Sequence, residues 1–126
     1  RRLKEKQLYA AMHHALINKK NIMGIFSAIF GNKQNGNLKT VIKEGAFLVD
    51  VRSEIEFSSG SVNGAVNIPL EKMQAQITRF KNKKNIVLFC RSGSRSSMAK
   101  TMLEQSGFKN VVNGGSWQKV KQVINE

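Results

Sequence analysis

Cys90 is the only cysteine among 126 residues, and it ends the apolar run Ile86-Val87-Leu88-Phe89. After it come Arg91-Ser92-Gly93-Ser94-Arg95-Ser96, where a helical pattern begins. That order predicts a strand delivering a thiol to the floor of a loop, with a helix opening on the far side. Backbone N–H groups of residues 91–96 would converge on the sulfur, and the helix N-terminus would add its partial positive charge. Small residues let such a loop curl tightly, and Gly93 admits the positive φ that an anion cradle needs. Arg91 and Arg95 add permanent positive charge. A free thiol, with a pKa of about 8.5, is mostly protonated at neutral pH, and each of these features favours the thiolate. By residue type alone a lone buried cysteine is packing material. The cationic and small residues after Cys90 point instead to a nucleophile beside an anion site.

A single cysteine also excludes an internal disulfide and an internal resolving thiol. Whatever group Cys90 acquires must therefore pass to another molecule.

The elements that would position this loop alternate between strand and helix. Residues 46–51 read as a buried strand, 54–59 as a helical turn stopped by Gly60, and 64–68 as a short strand halted by Pro69. Leu70, Met73, Ile77 and Phe80 carry a helical period, 85–89 is an uninterrupted apolar strand, and a helix starting at Ser94 ends before Gly107. Val111-Val112 reads as a last strand, and Trp117, Val120, Val123 and Ile124 share one helical face. Such alternation implies a mostly parallel sheet covered on both faces. Ligands bind such sheets beyond the carboxyl ends of the strands, where Cys90 falls.

Residues 1–36 read differently. Leu8, Met12, Ala15 and Leu16 have helical spacing, 22–30 is apolar and leader-like, and 31–37 has the Gly/Asn composition of a linker. Asn37 reads as the cap of a short helix running to Lys43 and Glu44. Met23 opens a run that has the form of a beginning, so residues 1–22 are expected to lie outside the native protein. The domain is expected over 37–126. His13-His14 suggests no metal site, since neighbours on a helix diverge and no further ligand accompanies them.

The formal charge of +13 is spread along the chain, with seven of the 21 Lys and Arg residues in 1–33, and forms no dense block. It favours small anions and acidic partners over nucleic acid. No run approaches the ~18 apolar residues of a membrane span, and a cytoplasmic location is expected, with the periplasm as the alternative.

These residues carry a resemblance. Phe47-Leu48-Val49-Asp50-Val51-Arg52 with Glu54 and Glu56-Phe57, then Gly60-Ser61-Val62-Asn63-Gly64-Ala65-Val66-Asn67-Ile68-Pro69-Leu70, resemble the rhodanese domain. So do the Cys90 loop, Ala99, Leu103, Gly107-Phe108, Val111 and Asn113-Gly114-Gly115. The chain is most similar to the small single-domain thiosulfate sulfurtransferases, over roughly residues 37–126. The resemblance implies an α/β fold with a central, mostly parallel five-stranded sheet flanked by helices on both faces. It also implies a Cys90 that carries sulfane sulfur as a persulfide, with no cofactor and no metal.

Carried over residue by residue, Cys90 is the nucleophile. The backbone of Arg91, Ser92, Gly93, Ser94, Arg95 and Ser96 binds the transferred sulfur and the anionic donor, and Arg91 and Arg95 draw the donor to the rim. Asp50, Arg52 and Glu56 are structural supports, with Glu56 the expected partner of Arg52. The implied partners are a small anionic donor such as thiosulfate, a thiol or cyanide acceptor, and a sulfur-relay protein. Ser61 stands where the family often has histidine, which touches only local hydrogen bonding.

The related phosphatases place one more residue between cysteine and arginine. Here the arginine arrives at Arg95 and Ser96 takes the later position, a shorter loop suited to one sulfur atom. A persulfide carrier with little turnover is the alternative. A Cys-dependent phosphatase or arsenate reductase is a more distant one.

Overall fold

The computed structural model describes the backbone from Asn32 to Glu126 and the side chains from residue 37 onward. The readings made for residues 1–31, including the apolar run 22–30 and His13-His14, lie outside the described residues.

The described elements are α1 (Asn32–Lys43), β1 (Phe47–Asp50), α2 (Glu54–Ser59), β2 (Val66–Asn67), β3 (Ile86–Cys90), α3 (Ser94–Gln105), β4 (Val111–Ser116) and α4 (Trp117–Asn125). Two 3₁₀ turns, Leu70–Lys72 and Ile77–Phe80, lie between β2 and β3. All four strands are parallel, in the order β2-β1-β3-β4. The sheet therefore has four strands among the described residues, not the five that the resemblance implied. Outside these strands residues 38–126 fold as helices, 3₁₀ turns and connecting loops, so this region supplies no fifth strand.

Strand β3 explains both layers. Its side chains alternate, as extended backbone requires, and all five of its residues are buried. Ile86, Leu88 and Cys90 pack with Val49, Val51, Met73 and Phe80, and with Ala99 and Leu103 of α3. Val87 and Phe89 point the other way, against Leu38 of α1, Val62, and Val120 and Val123 of α4. Each large aliphatic side chain so buried contributes about 1.5–3 kcal/mol. Helices thus cover both faces, and the β3–α3 turn is fixed at the carboxyl edge.

Three local readings need correction. The expected linker 31–37 is helical from Asn32, because a helix anchored by Leu38 extends towards its N-terminus at little cost once nucleated. The stretch 70–80 forms two 3₁₀ turns rather than one helix: Leu70 and Met73, and again Ile77 and Phe80, are three residues apart, and Gln76, at φ −113°, breaks the run between them. Strand β4 continues past Val112 to Ser116, with an irregular step in its pairing opposite Leu88 and Phe89. That continuation depends on Gly114, where an added Cβ would lie 2.8 Å from Val120 Cγ2 and 3.1 Å from Val87 Cγ1. No described helix is long and apolar enough to cross a membrane.

Candidate active site

Cys90 is the last residue of β3 and has no exposed surface. Its sulfur accepts the Gly93 N–H at 3.0 Å and lies 3.5 Å from the Ser96 hydroxyl. Burial alone pushes the thiol pKa up. Hydrogen bonds from the Ser96 hydroxyl and from the N–H groups of Ser96, Gly93 and Ser92 outweigh that effect and hold it below the ordinary thiol value. The amides thus converge on a buried sulfur, which is the arrangement that stabilises an anion. Arg91, Ser92 and Ser94 of the same loop are exposed.

The convergence has a local cause. Gly93 takes φ +102°, a conformation that side-chain-bearing residues rarely adopt, and caps α3. Its carbonyl accepts the Ser97 N–H at 2.9 Å, closing the first turn of α3. No acidic residue occupies that turn, so the positive end of the helix is left for the sulfur.

Of the loop residues proposed from sequence, Gly93 donates its N–H to Cys90, and the N–H groups of Ser92 and Ser96 help to lower the thiol pKa. Ser94 begins α3, and its hydroxyl lies 3.4 Å from that of Ser92. Arg91 is exposed and makes no ion pair among the described residues. Arg95 is turned to Glu56 in a two-pronged pair, Nη1 to Oε1 at 2.7 Å and Nη2 to Oε2 at 3.0 Å.

The pairing of the supporting residues differs from the expectation that Glu56 meets Arg52. Arg52 instead binds Asp50, with Nη2 2.8 Å from Oδ2 and Nε 3.0 Å from Oδ1, and both residues are buried. Arg52 also donates to the Gly60 carbonyl at 2.6 Å and lies over the Trp117 ring at 5.0 Å. Ser61 donates to Asp50 at 2.7 Å, and the Asn67 amide donates to the carbonyls of Asp50 and Arg52. The ends of β1 and β2 and the 60–61 loop are thereby tied together, one strand away from Cys90.

Glu56 has a double task. It completes the capping box of α2 with Ser53 and it holds Arg95 of α3. The Arg95 hydrogen bonds pull its pKa from 4.5 to about 2 against the opposing effect of burial, helped by Ser53. A carboxylate with a depressed folded-state pKa stabilises the fold fully above its unfolded pKa and loses that contribution as pH falls through the folded one. Urea titrations should therefore show wild type losing stability between pH 4.5 and about 2. Glu56→Gln should be less stable above that window and show a shallower loss through it; parallel profiles would contradict the pairing.

Sequence reading gave no role to Asn113. Its side chain binds Gly93, Ser96 and Gly115. The available signal was an amide in the glycine-flanked end of the strand beside β3. Among the described residues, no three His, Cys, Asp or Glu side chains gather so as to hold a metal ion.

The fold is thus an α/β domain with a buried thiol at the carboxyl edge of its parallel sheet, under the Gly93 N–H and the start of α3. The family model described as the rhodanese-like domain matches residues 34–122, and the chain belongs to that family. It is similar to a sulfurtransferase of Allochromatium vinosum, 31% identical over 70 residues, which are 56% of this chain and 65% of that protein. It is also similar to the thiosulfate sulfurtransferase PspE of Escherichia coli, 33% identical over 69 residues, 53% of this chain and 66% of that one. A solved rhodanese with anions from E. coli superposes with a TM-score of 0.55 at 30% identity, covering 60% of this chain and 91% of its own.

Proposed function

We propose that this protein is a sulfurtransferase that moves sulfane sulfur from thiosulfate, or a related persulfide donor, to a thiophilic acceptor through a persulfide on Cys90. The observation that supports it most is the Gly93 N–H held 3.0 Å from a buried sulfur at the N-terminus of α3. The Cys90 thiolate attacks the outer sulfur of thiosulfate; a new S–S bond forms, the donor's S–S bond breaks, and its electron pair leaves with sulfite. The negative charge then sits on the outer sulfur of the persulfide, where preorganised N–H donors act as they do in an oxyanion hole. Cyanide or a thiol attacks that outer sulfur, and Cys90 leaves again as thiolate.

Arg95 supports sulfur over phosphate as the cargo. Both of its terminal nitrogens are engaged by Glu56, whose negative charge opposes a phosphoryl group at the same guanidinium. The exposed Arg91 is the charge we assign to drawing the donor anion towards the loop. Arg91→Ala should raise KM for thiosulfate about two- to fivefold, the range of an exposed charge interaction, with thermal stability unchanged. Added salt should raise the wild-type KM towards the variant's. An unchanged KM would remove Arg91 from the site.

Thiocyanate formation from thiosulfate and cyanide tests the reading as a whole. Parallel double-reciprocal lines are expected, because sulfite leaves before the acceptor enters. A protein that takes up sulfur without passing it to cyanide or to a small thiol is a carrier for a sulfur-relay partner. Hydrolysis of an aryl phosphate would contradict the proposal.

A further inference from the structure

The loop around Cys90 is not held by its own contacts alone. Gly93 carries the N–H nearest the sulfur, yet it has no side chain and lies at φ +102°, so its own conformational preferences do not fix that N–H. Beside the Ser97 N–H on the Gly93 carbonyl, further fixing contacts come from β4. Asn113 Nδ2 donates to the Gly93 carbonyl at 3.1 Å, and Oδ1 accepts the Ser96 hydroxyl at 2.7 Å. The Gly115 N–H donates to the same Oδ1 at 2.9 Å, which sets the amide the right way round.

The Ser96 hydroxyl has one proton and three acceptors near it: Asn113 Oδ1 at 2.7 Å, the Gly93 carbonyl at 3.0 Å and Cys90 sulfur at 3.5 Å. The Ser97 N–H and Asn113 Nδ2 already fill the two lone pairs of the Gly93 carbonyl. The hydroxyl proton is thereby left to Asn113 or to sulfur. While Cys90 is a thiol, Ser96 donates to Asn113 and turns a lone pair to the S–H. When the sulfur is anionic, the proton is drawn to it and the Ser96–Asn113 bond is given up, so the contact that Asn113 keeps on the loop is the one to the Gly93 carbonyl.

We propose that Asn113 is a positioning residue for Cys90, clamping the Gly93 carbonyl from the neighbouring strand so that the Gly93 N–H stays aimed at the sulfur. The proposal deepens the sulfurtransferase reading and rests on it for its meaning. Its test is independent, because alkylation requires a thiolate but no sulfur donor. The charged groups around the sulfur are Arg95 with Glu56, Arg52 with Asp50, the exposed Arg91, and Lys119 beside Gly115. None of them is altered by the variants below.

The rate of iodoacetamide alkylation of Cys90 is measured against pH in the full chain, for wild type, Asn113→Ala and Asn113→Leu. Leu fills the same volume without hydrogen bonds and decides the matter where Ala fails to fold. The expected result is a higher midpoint, seen as a loss of rate of about tenfold at pH 7, with the limiting rate at high pH retained. In the same variants kcat for sulfur transfer falls while KM for thiosulfate stays. An unchanged midpoint in a folded variant overturns the proposal, as does a lower limiting rate alone, which would mean altered access. If neither variant folds, wild type decides by NMR: the Gly93 amide proton titrates with Cys90 and exchanges slowly, and a non-titrating, fast-exchanging amide overturns the clamp.

Discussion

Cys90→Ser is expected to reduce sulfur transfer below detection while the domain stays folded. An alcohol in the same place would have to ionise far above neutral pH, and an oxygen cannot carry the outer sulfur as a persulfide. The fold should survive because the replacement is close in size and its hydroxyl inherits partners. The Gly93 N–H lies 3.0 Å from the present sulfur, and the Ser96 hydroxyl 3.5 Å. A satisfied buried hydroxyl costs about 1 kcal/mol or less. Thiocyanate assays paired with urea melts read both halves of the expectation. Residual turnover in a folded serine variant would mean that sulfur travels by another route.

The second large effect is on stability. Asp50 is fully buried and its carboxylate accepts the Arg52 side chain, the Arg52 N–H and the Ser61 hydroxyl. Asp50→Ala removes every one of those bonds and leaves a guanidinium buried with only the Gly60 carbonyl and the Trp117 face. Breaking one side of a buried pair costs about 3–5 kcal/mol. Against a typical domain stability of about 5–15 kcal/mol, that loss is a large share of the whole. Asp50→Asn keeps the size and some of the acceptor capacity, so it should lose less. Denaturant midpoints check the order, with wild type above Asn and Asn above Ala. An Ala variant as stable as wild type would mean that the pair does not hold the β1 and β2 ends.

The features of this site that were legible in the sequence are those coded within a few residues. The apolar run into Cys90, the glycine three positions later and the helix period after Ser94 sit in one short stretch, and local chemistry suffices to read them. The order of alternating elements was legible for the same reason, since periods of two and of three to four residues are local properties. What escaped was set by tertiary contact. Glu56 and Arg95 are separated by 39 positions, and Arg52 has a carboxylate two residues away that wins it. Strand β4 is legible only at its β-branched start, Val111-Val112, yet it runs on through Gly114, where Val87 and Val120 close in from both sides. Asn113 lies seventeen positions beyond Ser96, and its role became visible only once β4 was laid against β3.

Intact-mass measurement of the protein after incubation with thiosulfate and removal of excess donor probes the claim at its centre. The mass should rise by one sulfur atom, return to its starting value on addition of cyanide, and stay constant throughout in Cys90→Ser. A wild-type chain whose Cys90 alkylates readily at neutral pH but never gains that sulfur would show a reactive thiolate that does not form the persulfide.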